Sequence, residues 1–127
     1  MSQSRQRIRV LIVDDEVEMC WALQAIVAAE GYCSTVAHTG REALKCIQTG
    51  SHHLAFVDLK LPDMEGLDLA ARLHQLFPTL PCVLVSGYLY DDDDLILAGL
   101  KAGIIAGFIG KPFLLDQVRE ALRFAKR

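Results

Sequence analysis

A chain of 127 residues and 14.1 kDa is the size of one domain, and with 52% hydrophobic and 23% charged residues it is too apolar to stay disordered. A formal charge of −3 and a pI of about 5.7 argue against a broad basic footprint for nucleic acid. The longest apolar stretches, such as Leu95–Leu100, fall well short of the roughly 20 residues that cross a bilayer, and the polar, basic start followed by Asp14, Asp15 and Glu16 is unlike a secretory signal.

The first apolar run, Ile8–Val13, predicts a strand, and Val17–Glu30 a helix with Cys20, Leu23 and Val27 on one stripe and a stop at Gly31. Cys33–Ala37 predicts the second strand. The second helix opens on Thr39-Gly-Arg-Glu42, a capping box in which hydroxyl and carboxylate satisfy free amides of the first turn, and ends at Gly50. Leu54–Val57 is the third strand, and a third helix runs from about Gly66 to Leu76, before Pro78. Cys82–Val85 is the fourth strand. A fourth helix follows the acidic run Asp91–Asp94 and ends near Gly103. Gly107–Ile109 is the fifth strand, and Leu115–Lys126 a last helix whose basic end complements the helix dipole.

Near-continuous apolarity in each strand predicts parallel strands covered on both faces. Five strands and five helices in strict alternation make an α/β, doubly wound (βα)5 domain with the flavodoxin-like order 2-1-3-4-5. Right-handed crossovers place helices one and five on one face, and two, three and four on the other. The chain reads as one domain over residues 1–127, with its core at about 8–126.

Ligands of such sheets bind beyond the carboxyl ends of the strands. Strand one ends in Asp14-Asp15-Glu16, strand three in Asp58, strand four in Ser86-Gly87 and strand five in Gly110-Lys111-Pro112. Clustered carboxylates repel one another unless a cation lies between them. A hard divalent ion answers this, and Mg²⁺, held by a few carboxylates and substrate phosphate, is the natural choice. The lysine and the hydroxyl would then meet phosphoryl oxygens. This is a phosphoryl-transfer site with an aspartate as covalent acceptor.

These residues resemble the receiver domain of two-component response regulators, from about Ile8 to Lys126. Leu-Ile-Val-Asp14-Asp15-Glu16 resembles its acidic pocket, and Asp58-Leu-Lys60-Leu-Pro62-Asp-Met-Glu-Gly66 the stretch around its phosphoacceptor. Ser86-Gly87, Lys101-Ala-Gly103 and Phe108-Ile-Gly-Lys111-Pro112-Phe113 are similar to its remaining motifs. The resemblance implies that Asp58 takes a phosphoryl group from a phosphohistidine of a sensor histidine kinase or histidine phosphotransfer protein. It implies Mg²⁺ held by Asp15, Asp58 and the Lys60 backbone carbonyl, with Asp14 acting directly or through water, and Lys111 offsetting phosphoryl charge. Ser86 and Phe108 would form the switch, changing the face of helix four, strand five and helix five, a face through which receivers also pair as homodimers. Lys60, Gly87 and Tyr88 would flank the phosphate's access path, and a bulky Tyr88 implies slow self-dephosphorylation. The expected protein is a cytoplasmic signalling switch rather than an enzyme proper, with no nucleic acid or membrane bound by this domain and room for an output domain beyond residue 127. A phosphorylation-independent receiver-like binding module is the alternative.

Several features depart from the usual pattern. Phe108 lacks the hydroxyl of the tyrosine common there, and reads as the switch aromatic or as a core Phe. Ile104-Ile-Ala-Gly107 extends the core or meets a partner. Trp21, off the main stripe of helix one, anchors an interface or packs on helix five. Leu95, Ile96 and Leu97 make helix four apolar on more than one side, and Asp91–Asp94 suits a helix N-terminus or a patch that selects a basic partner. Cys20, Cys33, Cys46 and Cys82, with no C-x-x-C pair, read as buried free thiols suited to a reducing cytosol. His38, His52, His53 and His74 lack metal spacing and read as loop or surface residues.

Overall fold

The computed structural model describes residues 8–87 and 93–126. Strands β1 (Arg9–Val13), β2 (Cys33–Ala37), β3 (Leu54–Asp58), β4 (Cys82–Ser86) and β5 (Gly107–Gly110) alternate with helices α1 (Val17–Ala29), α2 (Gly40–Thr49), α3 (Gly66–Leu76), α4 (Asp93–Lys101) and α5 (Leu115–Leu122). All pairings are parallel, in one sheet ordered β2-β1-β3-β4-β5. The predicted architecture is the observed one.

Two apolar layers sandwich the sheet. On one side Val10, Ile12, Phe56, Val83 and Ile109 meet Cys20, Leu23 and Val27 of α1 and Val118, Ala121 and Leu122 of α5. On the other, Leu11, Val13, Val57 and Leu84 meet Ala43 and Ile47 of α2, Leu69 and Leu73 of α3 and Ile96 of α4. Alternate residues of one strand therefore feed opposite layers, and both need to be apolar. β3 and β4 are buried at all five positions, whereas the edge strand β2 buries only Ala37.

Helix ends follow local chemistry. Gly31 (φ 89°) and Gly103 (φ 78°), just past α1 and α4, take the left-handed conformation that side chains resist. At the start of α2 the Glu42 amide donates to Thr39 Oγ1 at 3.0 Å, as predicted. The Glu42 carboxylate, however, accepts from the His38 amide at 2.6 Å, one residue before the expected Thr39. The last helix turns 3₁₀ over Arg123–Lys126. Strands three and four run one residue further than predicted, so Asp58 and Ser86 are strand residues with neighbours fixed on both sides.

Some side chains sit elsewhere than expected. Cys20 and Cys82 are buried, but Cys33 is exposed and Cys46 half-buried, because β2 and α2 lie at the sheet's margin. Trp21 is 66% exposed on α1 rather than packed against α5, since the helix turns Cys20, Leu23 and Val27 inward instead. Ile105 is buried and Ile104 packs beside it, so this connection extends the core. Leu95 and Leu97 flank buried Ile96 and are exposed.

Candidate functional site

The carboxyl ends of β1, β3 and β5 converge on one ammonium. Lys111 Nζ stands 3.0 Å from Asp14 Oδ2, 2.9 Å from Glu16 Oε1 and 3.3 Å from Asp58 Oδ1. Asp14 and Asp58 are buried, while Asp15 and Glu16 are exposed. The backbone holds the first acid firmly. The Asp14 amide donates to the Ala37 carbonyl at 3.0 Å, and Asp14 Oδ1 accepts the Glu16 amide at 2.9 Å. On β5, the Lys111 amide donates to the Ser86 carbonyl at 2.9 Å, so the lysine is seated by the strand carrying Ser86. The Lys111–Pro112 peptide bond is cis.

Electrostatics set this cluster apart. Asp58 has its pKa raised from 3.8 to about 6, chiefly by burial and then by the charge of Asp14, with Lys111 opposing. Burial alone disfavours the Lys111 ammonium, but hydrogen bonds to Glu16 and Asp14 outweigh it and its pKa is raised. Three carboxylates thus share one cation, a combination that concentrates at functional sites.

The donor set suits a hard divalent ion. Asp14, Asp15 and Asp58 each offer an oxygen within 4.8 Å of the others. Asp14 Oδ2 is sealed from solvent and, beyond its ion pair with Lys111, has no hydrogen-bond partner. All-oxygen, anionic donors match Mg²⁺ rather than a thiophilic metal. Asp15 and Asp58 line a cleft of about 500 Å³ together with Glu16, Lys60, Gly87 and Lys111, with Asp14 buried behind them. A larger cleft of about 720 Å³ opens at the opposite end of the sheet, beside Pro81, Cys82 and Phe124, away from these charges.

The other predicted residues fall around this cleft. Lys60 is exposed on its rim and pairs with Glu65 at 3.3 Å. Gly87 is exposed, and a Cβ there would make ordinary contact with Lys111 Cβ at 3.9 Å. Ser86 is buried at the end of β4. Phe108 is 42% exposed on β5, so its ring faces outward instead of filling the core. Tyr88, Asp91 and Asp92 lie outside the described residues.

Three residues make contacts in or around the site that sequence reasoning did not assign them. Glu16 holds Lys111 directly. His38 is an exposed loop residue, as read, and its Nδ1 lies 3.0 Å from the Asp14 carbonyl oxygen. Asp63 reaches across to α2, accepting from the Gly40 amide at 2.8 Å and the Arg41 amide at 3.0 Å. Its place one residue after Pro62, in a turn, was the signal available; its partner was not. Far from the site, His52 is in a loop as read, but half-buried with both ring nitrogens out of water rather than on the surface.

The comparisons agree with this geometry. The family model described as "Response regulator receiver domain" matches residues 10–123. The transcriptional regulatory protein ZraR of Salmonella typhimurium is 28% identical over 121 residues, covering 95% of this chain and 27% of that protein. The transcriptional regulatory protein BasR of Escherichia coli is 31% identical over 116 residues, covering 91% of this chain and 51% of that protein. This chain therefore spans about a quarter to a half of the length of these regulators. The crystal structure of a CheY-like response regulator receiver domain protein from Methanospirillum hungatei superposes with a TM-score of 0.83 at 33% identity, covering 92% of this chain and 91% of the other. Match, fold and site chemistry agree: this chain belongs to the response regulator receiver domain family.

Proposed function

We propose that Asp58 is the phosphoacceptor of this receiver domain, taking a phosphoryl group from a phosphohistidine on a sensor histidine kinase or histidine phosphotransfer protein. The observation that carries the reading is the convergence of Asp14, Asp15 and Asp58 on one point, with the Lys111 ammonium against Asp58. An Asp58 carboxylate oxygen attacks phosphorus as the bond from the donor's imidazole nitrogen breaks. The imidazole leaves with the bonding pair, and Asp58 becomes an acyl phosphate. Asp15, Asp58 and the Lys60 backbone carbonyl would hold Mg²⁺, with Asp14 direct or through water. The ion supplies charge neutralisation of the phosphoryl oxygens. Lys111 moves its attention from Asp58 to a phosphoryl oxygen, a donor already positioned and desolvated.

The same groups then serve the output. The buried Ser86 hydroxyl turns to a phosphoryl oxygen, and the outward Phe108 ring swings inward behind it, changing the α4–β5–α5 face. That face carries exposed Leu95, Leu97 and Phe108, a surface for self-association or for an output domain, fused or separate. Lys60 and Gly87 flank the approach of hydrolytic water. We place this activity in the cytoplasm, as a single unit built on residues 8–126; no described helix is long and apolar enough to cross a membrane.

The test is intact mass after incubation with Mg²⁺ and acetyl phosphate, beside an Asp58→Asn variant. One phosphoryl group, absent from the variant and without Mg²⁺, is the expected result. No gain under any donor or metal would favour the phosphorylation-independent module.

A further inference from the structure

The loop between β3 and α3 carries both Asp58 and the Lys60 carbonyl, and it is tied at two places. At its base the Gly66 amide donates to the Leu59 carbonyl at 2.6 Å, and Lys60 bridges Glu65. A Cβ at Gly66 would overlap the Asp58 carbonyl oxygen, so only glycine lets the loop close this tightly. At its tip the Leu61 amide donates to the Met64 carbonyl at 3.1 Å, turning Asp63 outward.

There Asp63 meets α2 with both carboxylate oxygens, on the Gly40 and Arg41 amides. Thr39 already serves the Glu42 amide through its hydroxyl and the Ala43 amide through its carbonyl. Local and distant groups thus divide the three free amides of the first turn, Gly40, Arg41 and Glu42. The backbone amide of Gly40 lowers the Asp63 pKa, so the carboxylate is ionised and suited to a helix N-terminus. Met64 adds an apolar contact; its Sδ would lie 2.5 Å from a Cβ at Gly40. The clamped end of α2 in turn reaches the acidic pocket. The His38 amide donates to Glu42, and His38 Nδ1 meets the Asp14 carbonyl.

We propose that Asp63 is a positioning residue, clamping the Asp58–Gly66 loop onto α2 and so setting the Lys60 carbonyl and Asp58 at the right distance from Asp14 and Asp15 to hold Mg²⁺. The inference rests on the proposed metal-binding role of the pocket. Outer-sphere partners of metal ligands typically change affinity by about 10–100-fold. Asp63 acts through a whole loop rather than one ligand, so about tenfold, the lower end, is expected.

Mg²⁺ itself is the probe, its affinity measured calorimetrically on wild type, Asp63→Ala, Asp63→Asn and Thr39→Ala, with amide exchange of the metal-free proteins alongside. Thr39→Ala weakens the same helix end without touching the loop. Asp63→Ala should bind Mg²⁺ about tenfold more weakly, with faster exchange at Leu61 and Gly66. Asp63→Asn, keeping one acceptor oxygen, should lie between it and wild type. Thr39→Ala should leave affinity unchanged. Equal affinity and unchanged loop exchange in Asp63→Ala would overturn the clamp, as would an equal loss in Thr39→Ala, which would make helix stability the cause. Failure of the wild type to bind Mg²⁺ would instead overturn the reading of the pocket, and the inference with it.

Discussion

Replacing Asp58 by Asn should stabilise the metal-free protein, although the residue is central to its proposed chemistry. Burial and the Asp14 charge raise the Asp58 pKa from 3.8 to about 6. The native carboxyl thus binds its proton more tightly than the unfolded chain does. The stability this contributes is fully present below pH ~3.8 and is lost as pH rises through about 6. Each unit of difference corresponds to about 1.4 kcal/mol, so the ionised carboxylate costs the native state up to about 3 kcal/mol at pH 8. Asn has the same shape and no charge, and its amide oxygen can still face Lys111 at the 3.3 Å contact. Part of the gain is lost to imperfect pairing, leaving about 1–3 kcal/mol, or roughly 3–10 °C in Tm for a domain of this size. Thermal unfolding by circular dichroism in EDTA at pH 4, 6 and 8 measures it. The two proteins should melt nearly together at pH 4, separate between pH 4 and 6 and keep the full gap at pH 8, and Mg²⁺ should raise the wild type more than the variant. A variant no more stable than wild type at pH 8, or a gap indifferent to pH, would refute the electrostatic argument.

Other outcomes follow from single contacts. Lys111→Met leaves Asp14 and Asp58 without their shared cation and should cost about 3 kcal/mol at pH 8; a smaller loss is expected at pH 5, where Asp58 takes up a proton, and denaturant titration at both pH values reads the difference. Gly66→Ala sets a methyl against the Asp58 carbonyl and should lower Tm by several degrees, whereas Gly87→Ala meets only ordinary contact and should change it little; equal melting of the two would count against the tight loop. A thiol reagent added to native protein should modify Cys33 quickly and Cys46 more slowly, while Cys20 and Cys82, whose burial pushes their thiols up to about 11 and 12, respond only on unfolding. Rapid labelling of Cys82 would contradict the packing of β4.

The parts of this fold that were legible in the sequence are those ruled by local pattern. Residues such as Val83-Leu84-Val85 face two covered layers at once, so unbroken apolarity marked the inner strands. Strand ends bearing Asp14, Asp58 and Lys111 share one edge of a parallel sheet, so topology alone brought them together. What escaped was set by contacts distant in sequence or by which side of an element faces outward. Cys33 looks like any strand cysteine until β2 is known to be the edge. Trp21 lies off the stripe of α1 that Cys20, Leu23 and Val27 define, but whether α5 covers it depends on packing that periodicity does not contain. Asp63 and Gly40 are 23 residues apart, and a carboxylate after a proline does not announce which helix it will cap.

The arrangement also explains why the Asp58 carboxylate is held under tension. A buried carboxylate beside another is destabilised by desolvation and by its neighbour, and one ammonium shared among Asp14, Glu16 and Asp58 cannot satisfy all three. The core fixes β1 and β3 in register, Val13 beside Val57, so the acids that follow them cannot drift apart to relieve the repulsion. Relief has to come from added positive charge, which is what the proposed divalent ion would bring. Removing the Asp14 charge should likewise bring the raised Asp58 pKa back toward its ordinary value, because that charge is the second cause of the shift after burial.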